Sequence, residues 1–425
     1  MNLRLKDLAK SYQTGKASGI VSVCSAHPIV LRAAMRHGLQ THFTVLIEAT
    51  CNQVNQDGGY TGKQPADFVK LVKTIAIEEG LPTDQLILGG DHLGPNPWKS
   101  LHQEHAMQKA SELVRSYVVA GFNKIHLDTS MGCKDEPRMI SDQLSAVRTI
   151  KLLKIAETTA QETNLPPPHY VIGTEVPTPG GANHLLREVI ATTSKNAKKT
   201  IDTHLNMMKN EGLSHVIPRV IGLVVQPGVE FGNHNVIYYD RKKTTELTNI
   251  LENYPNLIFE AHSTDYQGEE KLSELVKDGF LILKVGPELT FSLREGIYGL
   301  DLIASELFSS YGDRPLYKQI EKLMLLEPGH WKDYYFGTDM EKRLLCHYSL
   351  SDRIRYYWSS KVAKNAVEKL FDTIQGKKIP FTLIKQFLPS ETKFADIPLD
   401  PKDLLISKIT KNLEVYNQAC KIPLM

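Results

Sequence analysis

Asp91 and His92 stand side by side just after an apolar run at 86–88 and two glycines, and Leu-Gly-Pro-Asn follows them. An apolar run that breaks into turn chemistry reads as a buried strand and its C-terminal mouth, so one strand end presents a carboxylate beside an imidazole. Such a pair can move a proton and ligate a metal; the plain alternative is a capped loop. The arrangement recurs along the chain. Apolar runs at 20–24, 44–47, 124–127, 170–172, 220–225, 257–259 and 280–283 lead into Ser25 and His27; Glu48 with Asn52 and Gln53; His126 and Asp128; Glu175; Gln226 with Glu230; Glu260, His262 and Asp265; and Lys284.

His92 and His262 are the metal candidates, because neutral imidazole nitrogens bind divalent transition metals strongly and a catalytic site needs about three protein ligands plus an open position. Glu175 and Gln226 are the candidate oxygen ligands, and zinc, manganese or nickel is the expected ion. Asp91 next to it would exchange a proton with a substrate hydroxyl while the ion polarises a carbonyl. Glu48 and Asp128 are the other candidate catalytic carboxylates. The competing reading is two satisfied core histidines among carboxylates that cap helices or form ion pairs. Lys284, on an apolar strand, offers a rival chemistry: a lysine with a depressed pKa could form a Schiff base.

Gathering these groups on one rim requires a repeated unit. Stretches at 66–79, 104–120, 144–161, 201–211, 244–253 and 269–277 repeat apolar residues every three or four positions, so amphipathic helices alternate with the strands. Eight strand-helix units predict a (β/α)8 TIM barrel, with its site at the C-terminal ends of the strands. An open doubly wound sheet would want a glycine-rich turn after the first strand, and Cys24-Ser25-Ala26-His27-Pro28 is not one. After the last two strands, Ser263, Gly286, Thr290 and Arg294, together with Lys284, sit where barrels usually take a phosphate. Thr290 and Ser292 would otherwise simply cap a helix.

The rhythm stops near residue 310, which divides the chain into a barrel over 1–310 and a helical extension over 311–425 packed on it. The aromatic segment Tyr348-Ser349-Leu350-Ser351-Asp352-Arg353-Ile354-Arg355-Tyr356-Tyr357-Trp358 belongs to that extension. It reads first as an oligomer contact or a structural cover, and second as a source of arginines, Arg353 and Arg355, for a substrate phosphate. With 425 residues, 41% of them hydrophobic, the chain can fill a large core. Lys and Arg exceed Asp and Glu by only 50 to 48, which gives no support to nucleic-acid or polybasic membrane binding. Five scattered cysteines without CxxC spacing fit reduced thiols. The start lacks the apolar core of a signal peptide, and no stretch of about 20 apolar residues could span a bilayer, so the cytoplasm is the expected compartment.

Read together, VCSAHP (23–28), LIEATCNQVNQDGGYTG (46–62), LGGDHLGPN (88–96), KIHLDTSMGC (124–133), YVIGTEVPTPGGA (170–182), VVQPGVEF (224–231), FEAHSTDYQ (259–267), LKVGPELTFSLRE (283–295) and YSLSDRIRYYW (348–358) closely resemble the GatZ/KbaZ family, the Z subunit of D-tagatose-1,6-bisphosphate aldolase. The resemblance covers nearly the whole chain and implies a barrel related to class II, metal-dependent aldolases. Its main implication is a Z subunit that supports the stability and full activity of a catalytic Y subunit in galactitol or N-acetylgalactosamine catabolism, with a sugar phosphate as ligand. The alternative is a metal-dependent 4-epimerase that interconverts tagatose 6-phosphate and fructose 6-phosphate by retro-aldol and aldol steps. Asp91 and His92 then match the family's acid/base and metal-ligand pair, and His262 a second metal histidine. Strand six departs, ending in Gln226-Pro227-Gly228 where a class II aldolase offers a histidine. A kinase label fits poorly, since no GxxxxGK[ST] loop occurs, and no nucleotide or redox cofactor is expected.

Overall fold

The computed structural model describes residues 4–173 and 189–421. Eight parallel strands, Ile20–Val23, Val45–Thr50, Leu86–Leu93, Lys124–Leu127, His169–Ile172, Val220–Val225, Ile258–Ala261 and Phe280–Val285, form a closed barrel and are numbered one to eight here. Strand one pairs with both strand two (Ser22 against Leu46) and strand eight (Ile20 against Ile282), which shuts the ring. Helices follow the strands and cover the outside, so the fold is the (β/α)8 barrel that the alternating pattern requires.

Local sequence explains the helices. In Pro65–Glu78, proline opens the first turn, Gln64 and Asp67 form a reciprocal cap, and Phe68, Val69, Val72, Ile75 and Ala76 make one buried stripe. Helix Asp142–Glu162 starts where the Ser141 hydroxyl accepts the Leu144 N–H at 3.3 Å. The expected helix at 244–253 divides into Thr245–Asn249 and a 3-10 turn, Ile250–Asn253.

Strand three departs most from expectation. Gly89 and Gly90 read as turn residues, yet the strand runs on to Leu93. They are glycines for room: a Cβ on Gly89 would lie 2.6 Å from Glu48 Cγ, and one on Gly90 2.7 Å from Tyr117 Cδ1. Pairing with strand four then slips between Gly90 and Leu93, and His92 adopts φ +52°. A bulge of this kind re-aims a side chain at a barrel rim.

After helix Pro287–Leu307 come Pro315–Leu326, Asp339–Tyr348, Lys361–Ile374, Phe381–Phe387 and Pro401–Cys420. The last returns to the barrel: the Gly19 N–H and the Ser18 hydroxyl both donate to the Cys420 carbonyl at 3.1 Å, and the Tyr416 hydroxyl donates to the Thr264 carbonyl at 2.7 Å. Among the described residues, no helix is long and apolar enough to cross a membrane.

Two buried histidines fasten this extension. His37 meets the Asn417 side chain, and His347 lies 2.7 Å from the Tyr298 hydroxyl and stacks on Tyr317. Burial lowers the pKa of each to about 4, from about 6.5 in an unfolded chain. Their contribution to stability is therefore complete above pH 6.5 and is lost as the pH falls towards 4, because the unfolded state takes up the protons first. The melting temperature is expected to drop steeply between pH 6.5 and 4, with up to about 3 kcal/mol at stake for each histidine. Replacing both with glutamine should flatten that slope; an unchanged slope would show that other groups set it.

Candidate active site

The barrel interior is charged where such barrels usually carry layers of branched aliphatic side chains. Lys124, fully buried on strand four, lies 2.7 Å from both Glu48 Oε1 and Glu260 Oε2. Lys284 on strand eight lies 2.9 Å from Glu48 Oε2, 3.4 Å from Glu260 Oε1 and 2.9 Å from Asp91 Oδ1. The Ser22 hydroxyl donates to Glu48 Oε1 at 2.7 Å. Burial opposes charge on Glu260 and Lys284, but the opposite charges around them outweigh it: Glu260 is held well below the usual carboxylate range and Lys284 well above the usual lysine range. Lys284 is thus ion-paired with Glu48, Asp91 and Glu260, surroundings that favour the ammonium over the free amine a Schiff base requires. Glu48, expected as a catalytic carboxylate, is fully buried in this charged floor against Lys124 and Lys284 and does not line the cavity.

Above this floor lie Asp91, His92, His126 and His262. All four are buried, and each offers a ligand atom within 4.8 Å of the others. Asp91 Oδ1 is 2.8 Å from His126 Nδ1, whose other nitrogen lies 3.0 Å from the Gly173 carbonyl. His92 Nδ1 meets Asp128 Oδ2 at 2.7 Å, and His262 Nε2 meets Glu260 Oε1 at 3.0 Å. A carboxylate behind one ring nitrogen fixes the tautomer and leaves the other nitrogen for a ligand, the usual support of a metal-binding histidine. Burial keeps His262 neutral, with its pKa lowered to about 3. Burial also opposes charge on His92, but the Asp91 and Asp128 carboxylates overcome it and raise the pKa. Burial opposes charge on Asp91 as well; His92, Lys284 and His262 outweigh it and hold the carboxyl well below its usual range. His92 and His262, each with one ring nitrogen backed by a carboxylate, and the Asp91 carboxylate suit a divalent transition metal, so the residues fit such an ion; both His126 nitrogens already have partners, Asp91 and the Gly173 carbonyl.

A cavity of about 120 Å³ opens over Asp91, His92, His262, Ser263 and Lys284, and Asn52, Gln53, Tyr60 and Phe231 also line it. The aromatic segment of the extension covers its mouth with Ser351, Arg355 and Tyr356. Tyr60 packs edge-on against Tyr356 at 4.6 Å, and Arg355 donates to the Tyr356 hydroxyl at 2.9 Å.

Not every expected group reaches this cavity. Asp128 acts behind His92. The Gln226 side-chain oxygen accepts the N–H groups of Gly228 and Val229 at 2.8 and 3.0 Å, so it shapes its own loop. Glu175 lies outside the described residues. Of the expected phosphate groups, Ser263 and Gly286 line the cavity, but the Gly286 N–H already donates to Asp265 Oδ1 at 3.0 Å. The Thr290 hydroxyl donates to the Pro287 carbonyl, and Arg294 is buried in a 2.8 Å ion pair with Asp352. Strand-end position marks His126 and Glu260 without giving either a role, and it does not mark Lys124 at all. A lysine opening an apolar strand was the available signal.

Asp128→Ala is expected to weaken divalent-metal binding by about 10- to 100-fold, because His92 loses the partner that orients it. Equilibrium dialysis with Zn²⁺ or Mn²⁺ reads this directly; an unchanged affinity would mean that His92 is not a ligand.

The family described as D-tagatose-1,6-bisphosphate aldolase subunit GatZ/KbaZ-like matches residues 5–421. A relative named D-tagatose 6-phosphate 4-epimerase, from Agrobacterium fabrum (strain C58 / ATCC 33970), is 52% identical over 419 residues, 99% of each chain. A crystal structure described as a probable tagatose 6 phosphate kinase from Sinorhizobium meliloti 1021 superposes with a TM-score of 0.87 at 46% identity, covering 95% of this chain and 100% of that one. Fructuronate-tagaturonate epimerase UxaE from Cohnella laeviribosi shares the fold alone, with a TM-score of 0.50 and 12% identity over 95% of this chain and 82% of that one. With a match over nearly its full length and a barrel whose charged floor carries the Asp91–His92 pair, the chain belongs to the GatZ/KbaZ-like family.

Proposed function

We propose that the chain is a 4-epimerase that interconverts D-tagatose 6-phosphate and D-fructose 6-phosphate by opening and re-forming the C3–C4 bond. The observation that carries this reading is the buried Asp91 carboxylate, fixed by Lys284 and His126 and facing a polar cavity beside His92 and His262. The name of the 52% identical relative supports the same activity over the Y-subunit role that the motifs first suggest.

Asp91 is ionised at neutral pH and so is in the form that accepts a proton. It takes the proton of the C4 hydroxyl as the C3–C4 bond breaks. The bond's electron pair passes to C3, giving the enediolate of a three-carbon ketose, and C4 becomes the aldehyde of glyceraldehyde 3-phosphate. The aldehyde turns its other face, the C3–C4 bond re-forms, and Asp91 returns the proton to the C4 oxygen, now on the inverted carbon. His92 and His262, with His126 beside them, would hold a divalent ion, which when bound polarises the C2 carbonyl. The Lys284 ammonium adds positive charge close to the reacting oxygens. Removing the C4 hydrogen as a proton is the less favourable route, because C4 is not adjacent to the C2 carbonyl.

Purified protein with Mn²⁺, Zn²⁺ or Ni²⁺ should form tagatose 6-phosphate from fructose 6-phosphate. No product with any of the three ions would overturn the reading. The second reading, support of a Y subunit, has its own observation: helices Pro315–Leu326 and Asp339–Tyr348 expose the large apolar side chains of Leu325, Leu326, Met340 and Leu344, which a protein partner could cover. Mixing with a Y subunit and following its heat inactivation separates the two roles.

A further inference from the structure

A second cavity, of about 270 Å³, adjoins the first and shares Cys24, Gln53, Tyr60 and Arg355 with it. Three cations, Arg355, Lys63 and Lys364, line it, and no aspartate or glutamate does. Neither lysine is in a salt bridge among the described residues. Apolar Ala26, Pro28 and Ile29 line part of the wall, and neutral polar groups stand among them. Trp358 is only 5% exposed, and its indole N–H is buried with no partner among the described residues. His27 Nδ1 accepts the Ile29 N–H at 3.3 Å, so its proton sits on Nε2 and is free to be donated. The buried Ser25 and Thr290 also line the cavity; the Thr290 hydroxyl is committed to the Pro287 carbonyl, which leaves Ser25 as the hydroxyl donor.

Cations, N–H and O–H donors and no carboxylate together describe a site for a compact dianion. The place where barrels usually put a phosphate is closed to one here. Asp265 Oδ1 accepts the Gly286 and Glu288 N–H groups at 3.0 and 2.8 Å, and Glu288 Oε2 accepts the Tyr266 N–H at 2.8 Å. Two carboxyl groups therefore occupy the start of helix Pro287–Leu307. The basic cavity shares a wall with the site of the reacting groups: Cys24 Sγ, which lines both cavities, is 3.9 Å from Lys284 Nζ, which is 2.9 Å from Asp91.

We infer that this cavity binds the phosphate monoester of the sugar substrate, so that the C-terminal extension, through Arg355, Trp358 and Lys364, recognises the phosphate end while the barrel carries the chemistry. The inference rests on the sugar-phosphate reading above and gives it a subsite. It also accounts for a cover that folds back over a barrel already complete.

The test compares full-length protein with Lys63→Gln/Lys364→Gln, which changes two solvent-reaching side chains, and with a charge-matched control, Lys195→Gln/Lys198→Gln, on the lysine-rich face of helix Ser194–Asn210. Inorganic phosphate, fructose 6-phosphate and fructose are titrated by calorimetry and thermal shift. Phosphate and fructose 6-phosphate should bind the parent and the control competitively and the cavity variant at least tenfold more weakly, with fructose weak throughout. Three results would overturn the inference: no binding of phosphate by the parent, unchanged affinity in the cavity variant, or simultaneous binding of phosphate and fructose 6-phosphate, which would make the anion a separate ligand. The two readings fail separately. Competitive binding that the variant weakens, with no tagatose 6-phosphate formed, removes the epimerase and keeps the subsite; turnover with the parent's KM in the variant does the reverse.

Discussion

Asp91→Asn is expected to lower epimerisation about 1,000-fold while leaving the fold and any support of a Y subunit intact. Asparagine keeps the shape of the carboxylate but cannot take the C4 hydroxyl proton, and a placed acid/base group contributes about 10²- to 10⁴-fold. The middle of that range applies because, among the described residues, the other carboxyl groups in and under the cavity are engaged elsewhere: Asp265 Oδ1 accepts the Gly286 and Glu288 N–H groups. Glu48 and Glu260 lie in the floor against lysines, and Asp128 is engaged by His92. Lys284 keeps Glu48 and Glu260 as partners when Asp91 loses its charge, so circular dichroism and the melting temperature should stay close to those of the parent. A variant with more than a tenth of the parent kcat would move the proton transfer to another group and sink the proposed role.

Lys124→Met should have the largest effect on stability. It leaves Glu48 and Glu260, both fully buried, with Lys284 as the only cation shared between them among the described residues. Removing one partner from a buried ionic cluster costs about 3–5 kcal/mol, because the remaining charges are stranded without water. Lys124→Met/Glu48→Gln removes a charge of each sign and should recover more than half of the loss, as coupling between contacting residues requires. Urea unfolding of the two single variants and the double variant measures that coupling. A Lys124→Met protein as stable as the parent would mean that the carboxylates take up protons at little cost, and the charged floor would then be dispensable for folding.

The floor also shows where reading the chain succeeded and failed. Strand-helix alternation was legible because each unit buries its own stripe, as Pro65–Glu78 does with Phe68, Val72 and Ile75; that periodicity is local and survives without coordinates. The rim was legible for a related reason, since a parallel barrel gathers all its strand ends on one side, and Asp91, His92 and His262 met as expected. Strand lengths were not. Gly89 and Gly90 carry the same letters whether they make a turn or leave space for Glu48 and Tyr117, and only the neighbouring strand and helix distinguish the two.

Roles within the site were harder still. Nothing local separates a carboxylate that moves protons from one that orients a histidine, yet Glu48 faces two lysines, Asp128 sits behind His92, and Gln226 is turned onto its own loop. Arg355 is more than 260 positions from Asp91 along the chain and shares a cavity with it. Periodicity and strand-end composition depend on neighbours within a few residues, so the order of residues alone carried the barrel and the side on which its candidate groups gather. The partner of each charge depends on contacts between distant strands and a returning helical cover, and these exist only once the ring has closed.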